Sequence, residues 1–166
     1  MTNEFQRYTK NLNEFEAILS YAELFVNSLV GQKPSCPNDV YGERIFVKLL
    51  CHAITLIKIS PSKAIDNQRE LWDISSCYAV SRALIETFDA LHYIAIAKVC
   101  DDEKEFRLLF WKLHAEARRF DMLSKMGSKD PRVEETGKEV QILKFKLLGH
   151  EKIILCTDQL KSNIEK

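Results

Sequence analysis

The sequence predicts an all-α protein: a five-helix, mostly up-and-down bundle with the third helix buried at its centre. Three observations lead there. Apolar residues recur at helical spacing through most of the chain. Glycine, proline and small polar residues separate these runs. No apolar–polar alternation lasts long enough to make a strand. A chain of 166 residues, 46% apolar and 29% charged, fits one helical domain over 1–166, or the helical part of a longer protein.

The first helix has the cleanest period. Phe5, Tyr8, Leu12, Phe15, Leu19, Ala22, Val26 and Leu29 form a heptad seam, with Gln6, Lys10, Asn13, Glu14, Glu16, Glu23 and Asn27 on the opposite face. It should stop near Gly31, ahead of Pro34 and Pro37. Asp39 is the expected cap of a second helix that runs to Ile59, where Ser60-Pro61 ends it. Its apolar residues, from Ile45 to Ile57, cover more than half the circumference, which predicts neighbours on two sides. Ser60 to Leu71 reads as a polar connection.

The third helix is expected from Asp73 to Val99, ending near Cys100, and is apolar on nearly every face. Asp101-Asp102 followed by Glu105 resembles a capping box for a fourth helix. Phe106, Leu109, Phe110, Leu113, Ala117, Phe120 and Leu123 supply its buried face, and Gly127 closes it. Asp130-Pro131 starts a fifth helix with Val133, Val140, Leu143, Leu147 and Ile154 on its face, and Gly149 kinks or splits it. Gln159 to Lys166 is a polar tail.

Composition narrows the function. Twenty-four basic against 24 acidic residues give no net charge, which argues against a duplex nucleic acid partner and gives little protection against self-association. Cys36, Cys51, Cys77, Cys100 and Cys156 are odd in number and form no Cys-x-x-Cys pair. Four lie in apolar helical patterns, so they read as free thiols of a cytoplasmic protein. The polar start Met1-Thr2-Asn3-Glu4 is unlike a signal peptide, and charges interrupt the most apolar stretches, so no membrane span is expected. His52, His92 and His150 lack ligand-spaced partners, and phosphate-loop and Gly-x-Ser-x-Gly signatures are absent; no metal or cofactor is assigned.

Two constellations are candidate sites. Arg82, Glu86, Asp89 and Tyr93 share one side of the third helix. They could line a polar pocket inside the bundle, where the guanidinium would hold a carboxylate or phosphate. They fit equally an internal Arg–Glu pair that fixes helix register, or a stripe that meets solvent. On the fourth helix Arg107, His114, Arg118 and Asp121 fall on one face; a solvated charged face is the simplest account of them. Beside them, Trp111 with Met122 and Met126 could form a flank for a partner helix, or the tryptophan could lie on a neighbouring helix of the bundle.

Ser81-Arg82-Ala83-Leu84-Ile85-Glu86, then Leu91-His92-Tyr93-Ile94 and the helix from Phe106 to Phe120, resembles a group of uncharacterised bacterial helical proteins. Their pattern is Arg-small-x-x-Glu followed by an aromatic residue; the similarity covers roughly Ile74 to Leu123. It implies an all-helical fold and a bacterial or phage-associated origin, and supplies no activity. The run from Arg107 to His114 also resembles the loosest form of the motif of HEPN-type ribonucleases, metal-independent helical proteins of defence and toxin systems. That resemblance implies that Arg107 holds a scissile RNA phosphate and His114 moves protons. It departs from the family at Leu108, where a polar residue is usual.

The expectation from sequence is therefore a bacterial, cytoplasmic helical bundle acting through contacts with a protein partner or a second copy of itself, as an accessory of a defence or prophage system. The alternative is a HEPN-like ribonuclease using Arg107 and His114, with a composite site across a dimer. Whether the protein is an enzyme is left open.

Overall fold

The computed structural model describes residues 3–61 and 73–154, and all regular structure among them is helical. The expected connection up to Leu71 lies mostly outside these residues, as do Cys156 and the tail from Gln159. The helices are α1 (Asn3–Leu29), α2 (Pro37–Ile59), α3 (Ile74–Leu91), α4 (Asp101–Lys125), α5 (Pro131–Leu148) and a single turn, α6 (Glu151–Ile154). A π-helical turn, His92–Ile96, continues α3 directly. The chain divides into two compact units, Met1–Ala97 and Lys98–Lys166.

In the first unit α1 lays its heptad seam against α2. Leu19 is buried with Leu50 and Ala53 of α2, and Phe15, Ala22, Val26, Ile57 and Leu84 of α3 close around them. The predicted seam from Phe5 to Leu29 coincides with the buried and half-buried positions of α1. The most extensive helix pair of the unit is α2 with α3, and α1 and the π-helical turn also meet α2. The two-sided apolar surface of α2 is thereby used, and the centre of this unit belongs to α2.

The second unit is the hairpin of α4 and α5 with α6 across its end. Leu113 of α4, Val140, Leu143 and Leu147 of α5 and Ile153 of α6 form its core, with Phe106, Leu109 and Ala117 packed against it. Leu147 is fully enclosed. Gly149 splits the fifth segment as expected: α5 stops at Leu148 and its chain restarts as α6.

The helix ends refine the sequence reading. Asp39 is not the cap of α2. The helix starts three residues earlier than that cap implies, at Pro37 with Cys36 as its cap, and Asp39 reaches back so that its Oδ2 accepts the N–H groups of Ser35 (3.1 Å) and Cys36 (3.0 Å). Cys100, without a side-chain hydrogen bond, caps α4, and Asp101, Asp102 and Glu103 fill its first turn. Asp73 caps α3 by accepting the Ser76 N–H at 3.0 Å. Gly31 and Gly127 take positive φ, 84° and 63°, just beyond the ends of α1 and α4, where a side chain would be strained.

Asp130 caps α5 as expected. Its Oδ1 accepts the Arg132 N–H at 2.9 Å, and its carboxylate also receives the Arg132 guanidinium. That guanidinium, helped by the backbone N–H, lowers the Asp130 pKa from the ordinary 3.8 to about 2. A depressed carboxylate pKa stabilises the fold above the unfolded value and loses that contribution as pH falls through the folded one. The melting-temperature advantage of wild type over Asp130→Asn should stay constant down to about pH 4 and vanish towards the folded value of about 2. An advantage that does not change across that interval would show that the carboxylate charge contributes nothing to the cap.

Candidate functional site

The polar stripe of α3 is not where the sequence reading put it. Arg82, Glu86, Asp89 and Tyr93 do share one side, but that side faces outward and all four are exposed. Arg82 Nε donates to Glu86 Oε1 at 2.8 Å, with the two side chains 82% and 64% exposed. The hydrogen bond and charge of Glu86 raise the Arg82 pKa above its ordinary value. The expectation that these groups are hidden from water is thus corrected. The face of α3 that turns towards α2 contains Val80, Leu84, Thr87 and Leu91, and none of the four polar residues lies on it.

An apolar row lies beside the polar ridge. Ile74, Tyr78, Ile85 and Phe88, with the smaller Ser81 among them, follow heptad spacing along the outer side of α3. Tyr78 is 73% exposed and Ile85 59%. The inner residues Val80, Leu84, Thr87, Leu91 and Ile94 obey the same spacing. A helix with two such seams is apolar on most of its circumference, and only one of them is covered by α2. The apolar circumference that predicts a fully buried helix thus reflects a second, exposed seam.

On α4, Arg107 Nε donates to Glu103 Oε1 at 2.7 Å, and the two side chains are only 18% and 23% exposed. Glu103 lies one turn towards the N-terminus and draws the guanidinium that way. His114 is exposed and stands two turns in the other direction, about 10 Å along the axis. Helical register therefore puts the two residues on one face, with the Arg107 guanidinium paired to Glu103. Farther along, Asp121 pairs with Lys125 at 2.7 Å and Glu116 with Arg119 at 3.9 Å, while Arg118 is exposed. Met122, Met126 and Phe110 are also exposed, and Trp111 is half-buried.

His150 was passed over as an isolated histidine. Its side chain is 8% exposed, its ring lies 5.4 Å from that of Phe106, and Nε2 is 3.4 Å from Asp102 Oδ1. These contacts tie the turn after α5 to the start of α4 and give His150 a structural role. Among the described residues no group of three or more His, Cys, Asp or Glu side chains is placed to hold a metal ion. Among the described residues Cys36, Cys51, Cys77 and Cys100 form no disulfide; Cys51 and Cys100 are exposed, and the Cys77 thiol lies 3.7 Å from the Ile59 carbonyl. No helix among the described residues is long and apolar enough to cross a membrane.

The first unit has a cavity of about 490 Å³ where the α1–α2 turn, the start of α2 and the π-helical turn meet. Phe25, Leu29, Phe46, Leu91, Ala95 and Ile96 provide its apolar wall; Gln32, Lys33, Asp39 and Glu43 stand among its polar groups. Phe25 and Phe46 meet edge to face, 5.6 Å between centroids. Two features of α2 hold the π-helical turn beside the cavity. Asn38, buried, donates from Nδ2 to the Ile94 carbonyl at 3.0 Å, and Gly42 faces Ala95 so closely that a Cβ at 42 would lie 2.7 Å from that of Ala95. The π-helical turn is closed by Ala97 N–H donating to the His92 carbonyl at 2.9 Å. None of the candidate residues Arg82, Glu86, Asp89, Tyr93, Arg107 or His114 lines this cavity. A signal for it was present in sequence: a glycine inside a helix costs about 1 kcal/mol relative to alanine, so Gly42 one turn after Asn38 needs a packing reason.

Comparison with protein-family models, curated proteins and solved structures finds no match to this chain.

The two helix-interior glycines should respond oppositely to alanine. At Gly42 the obstacle is the Ala95 Cβ, fixed to the backbone of the π-helical turn, so Gly42→Ala should cost about 1–3 kcal/mol through overpacking. At Gly137 the obstacle is the rim of the Phe120 ring, 2.9 Å away on a side chain that is 37% exposed and can swing outward. Gly137→Ala should then gain up to about 1 kcal/mol from helix propensity. Urea unfolding midpoints of the two variants measure this; equal losses would mean that the approach at Gly42 is not rigid.

Proposed function

We propose that this protein works through helix-on-helix association, that its partner is a second copy of the same chain, and that the outer seam of α3 is the contact. The observation that carries the reading is the heptad row Ile74, Tyr78, Ile85 and Phe88, exposed along the outer side of α3, with the half-buried Ser81 among them. Heptad spacing is the pattern by which one helix receives another, and a row of this kind can pack against its own copy about a two-fold axis. Arg82 and Glu86 border the row with one charge of each sign, so antiparallel copies can set cation opposite anion at the rim. The zero net charge of the chain adds no long-range repulsion. Ile18 and Tyr21 on α1 are exposed as well.

A cytoplasmic location fits cysteines that form no disulfide among the described residues. A role as an accessory of a bacterial defence or prophage system rests on the two sequence resemblances, that of the Ile74 to Leu123 region and that of the run from Arg107 to His114. The ribonuclease alternative draws no support from the pairing of Arg107 with Glu103.

Sedimentation equilibrium over a range of micromolar concentrations tests the reading. Wild type should be a dimer, and Phe88→Asp should weaken association by roughly thirtyfold or more, equivalent to a hot-spot loss of about 2 kcal/mol. Phe88 is exposed, so the variant should keep its helical circular dichroism. A wild-type chain that stays monomeric at every concentration, or a Phe88→Asp variant that dimerises as well as wild type, would overturn the proposal.

A further inference from the structure

We propose that the cavity between the α1–α2 turn and the π-helical turn is a binding site for a small amphipathic cation: an organic amine whose apolar body lies against Phe46 and Ile96 and whose ammonium group meets Asp39 and Glu43. The site is separate from the outer seam of α3 and does not depend on self-association. Its volume of about 490 Å³ falls within the range of pockets that hold small organic ligands, and its wall is largely apolar.

Charge selects the ligand class. The N-terminus of a helix ordinarily attracts an anion, and α2 begins at the mouth of this cavity. Here the anionic place is already taken by the chain: the Asp39 carboxylate accepts the N–H groups of Ser35 and Cys36. Glu43 stands one turn later, and Lys33 is the single basic residue of the lining. Two carboxylates against one ammonium repel an anionic ligand and favour a cationic one. Gln32 does not alter this balance, since its amide group donates to the Ser28 carbonyl at 2.8 Å.

The apolar part of the site is built by the backbone. Gly42 lines the cavity beside Asp39 and Glu43 with no side chain of its own, and the widened turn at His92–Ile96 brings Leu91, Ala95 and Ile96 to the same wall. π-helical turns are concentrated at functional sites, and this one is held by the buried Asn38 amide on the Ile94 carbonyl. A ligand body placed there removes apolar wall from water while its head remains at the acidic mouth.

Thermal unfolding and calorimetry with phenylbutylamine, phenylbutanol and phenylbutyrate test the proposal on the full chain. The amine should bind and raise the melting temperature, the alcohol should bind more weakly, and the carboxylate should not bind. Glu43→Gln, at an exposed position, should weaken amine binding several-fold and leave alcohol binding unchanged. Ile96→Trp, at a residue 51% exposed, should fill the cavity and abolish binding of both. Phe88→Asp should bind the amine as wild type does, whether or not the wild-type chain dimerises. No binding by the amine, tighter binding by the carboxylate, or amine binding that neither cavity variant reduces would overturn the site. Amine binding lost in Phe88→Asp would place the ligand between copies and overturn it equally.

Discussion

The close approach of α2 to the end of α3 governs the first unit. Gly42 has no side chain where Ala95 stands, and Asn38 uses its amide on the carbonyl of Ile94. Both contacts act at the segment where the α-helical hydrogen-bond pattern gives way to one longer step. A helix that widens must reassign backbone acceptors, and a buried acceptor left unpaired costs about 1–3 kcal/mol. Asn38 meets that requirement at Ile94. The same turn buries Leu91 and Ile94 and leaves Ala95 and Ile96 on the cavity wall. The inner seam of α3, its termination and the concave surface beside it thus follow from two small residues near the start of α2.

The circumference of α3 divides into three strips, each with its own physical role. The inner strip, Val80 to Leu91, is desolvated against α2 and contributes to the core. The polar ridge from Arg82 to Tyr93 remains in water, where an i,i+4 pair adds only about 0.3–0.5 kcal/mol. The outer row from Ile74 to Phe88 has an apolar character without the covering that usually goes with it. Because the ridge borders the row, the charges of Arg82 and Glu86 belong to the rim of an apolar surface. An interior pocket would have required them to be desolvated together, and nothing in the packing of α2 on α3 does that.

Much of the fold was legible because helix limits are set by local chemistry. Asp73, Asp130-Pro131, Ser60-Pro61, Gly31, Gly127 and Gly149 mark boundaries within a residue or two of where they occur. The seam of α1 reads directly as its buried face. The cap of α2 was misplaced because an acidic residue can serve from the third helical position as well as from the cap, and Cys36 is an uncommon cap. The π-helical turn had no local signal; it arises from contact with Asn38 and Gly42, more than fifty residues earlier. The candidate residues were legible as helix neighbours, since register alone sets their face. Whether that face meets protein or water depends on which neighbouring helices the chain supplies; among the described residues Leu84 on the inner seam is packed, while Ile74, Tyr78, Ile85 and Phe88 on the outer row are exposed.

Most of the charged side chains that pair do so within their own helix. Lys10–Glu14, Arg82–Glu86, Arg107–Glu103, Lys125–Asp121 and Lys138–Glu134 all join residues four apart on one helix. Such pairs hold their own helix and say nothing about its neighbours. His150 beside Asp102 is an exception that spans two elements, and it sits on the Phe106 ring at the edge of a core already closed by Leu147. Arginines spent on local carboxylates are poorly disposed to grip a phosphate, because a ligand must first displace a partner held by the same helix. Asp39 and Glu43 differ from these carboxylates: they stand at an apolar concavity, with one bonded to backbone N–H groups rather than to a lysine or arginine. Carboxylates placed in that way keep charge available at the mouth of a wall that water leaves readily, which is the combination that an amphipathic cation requires.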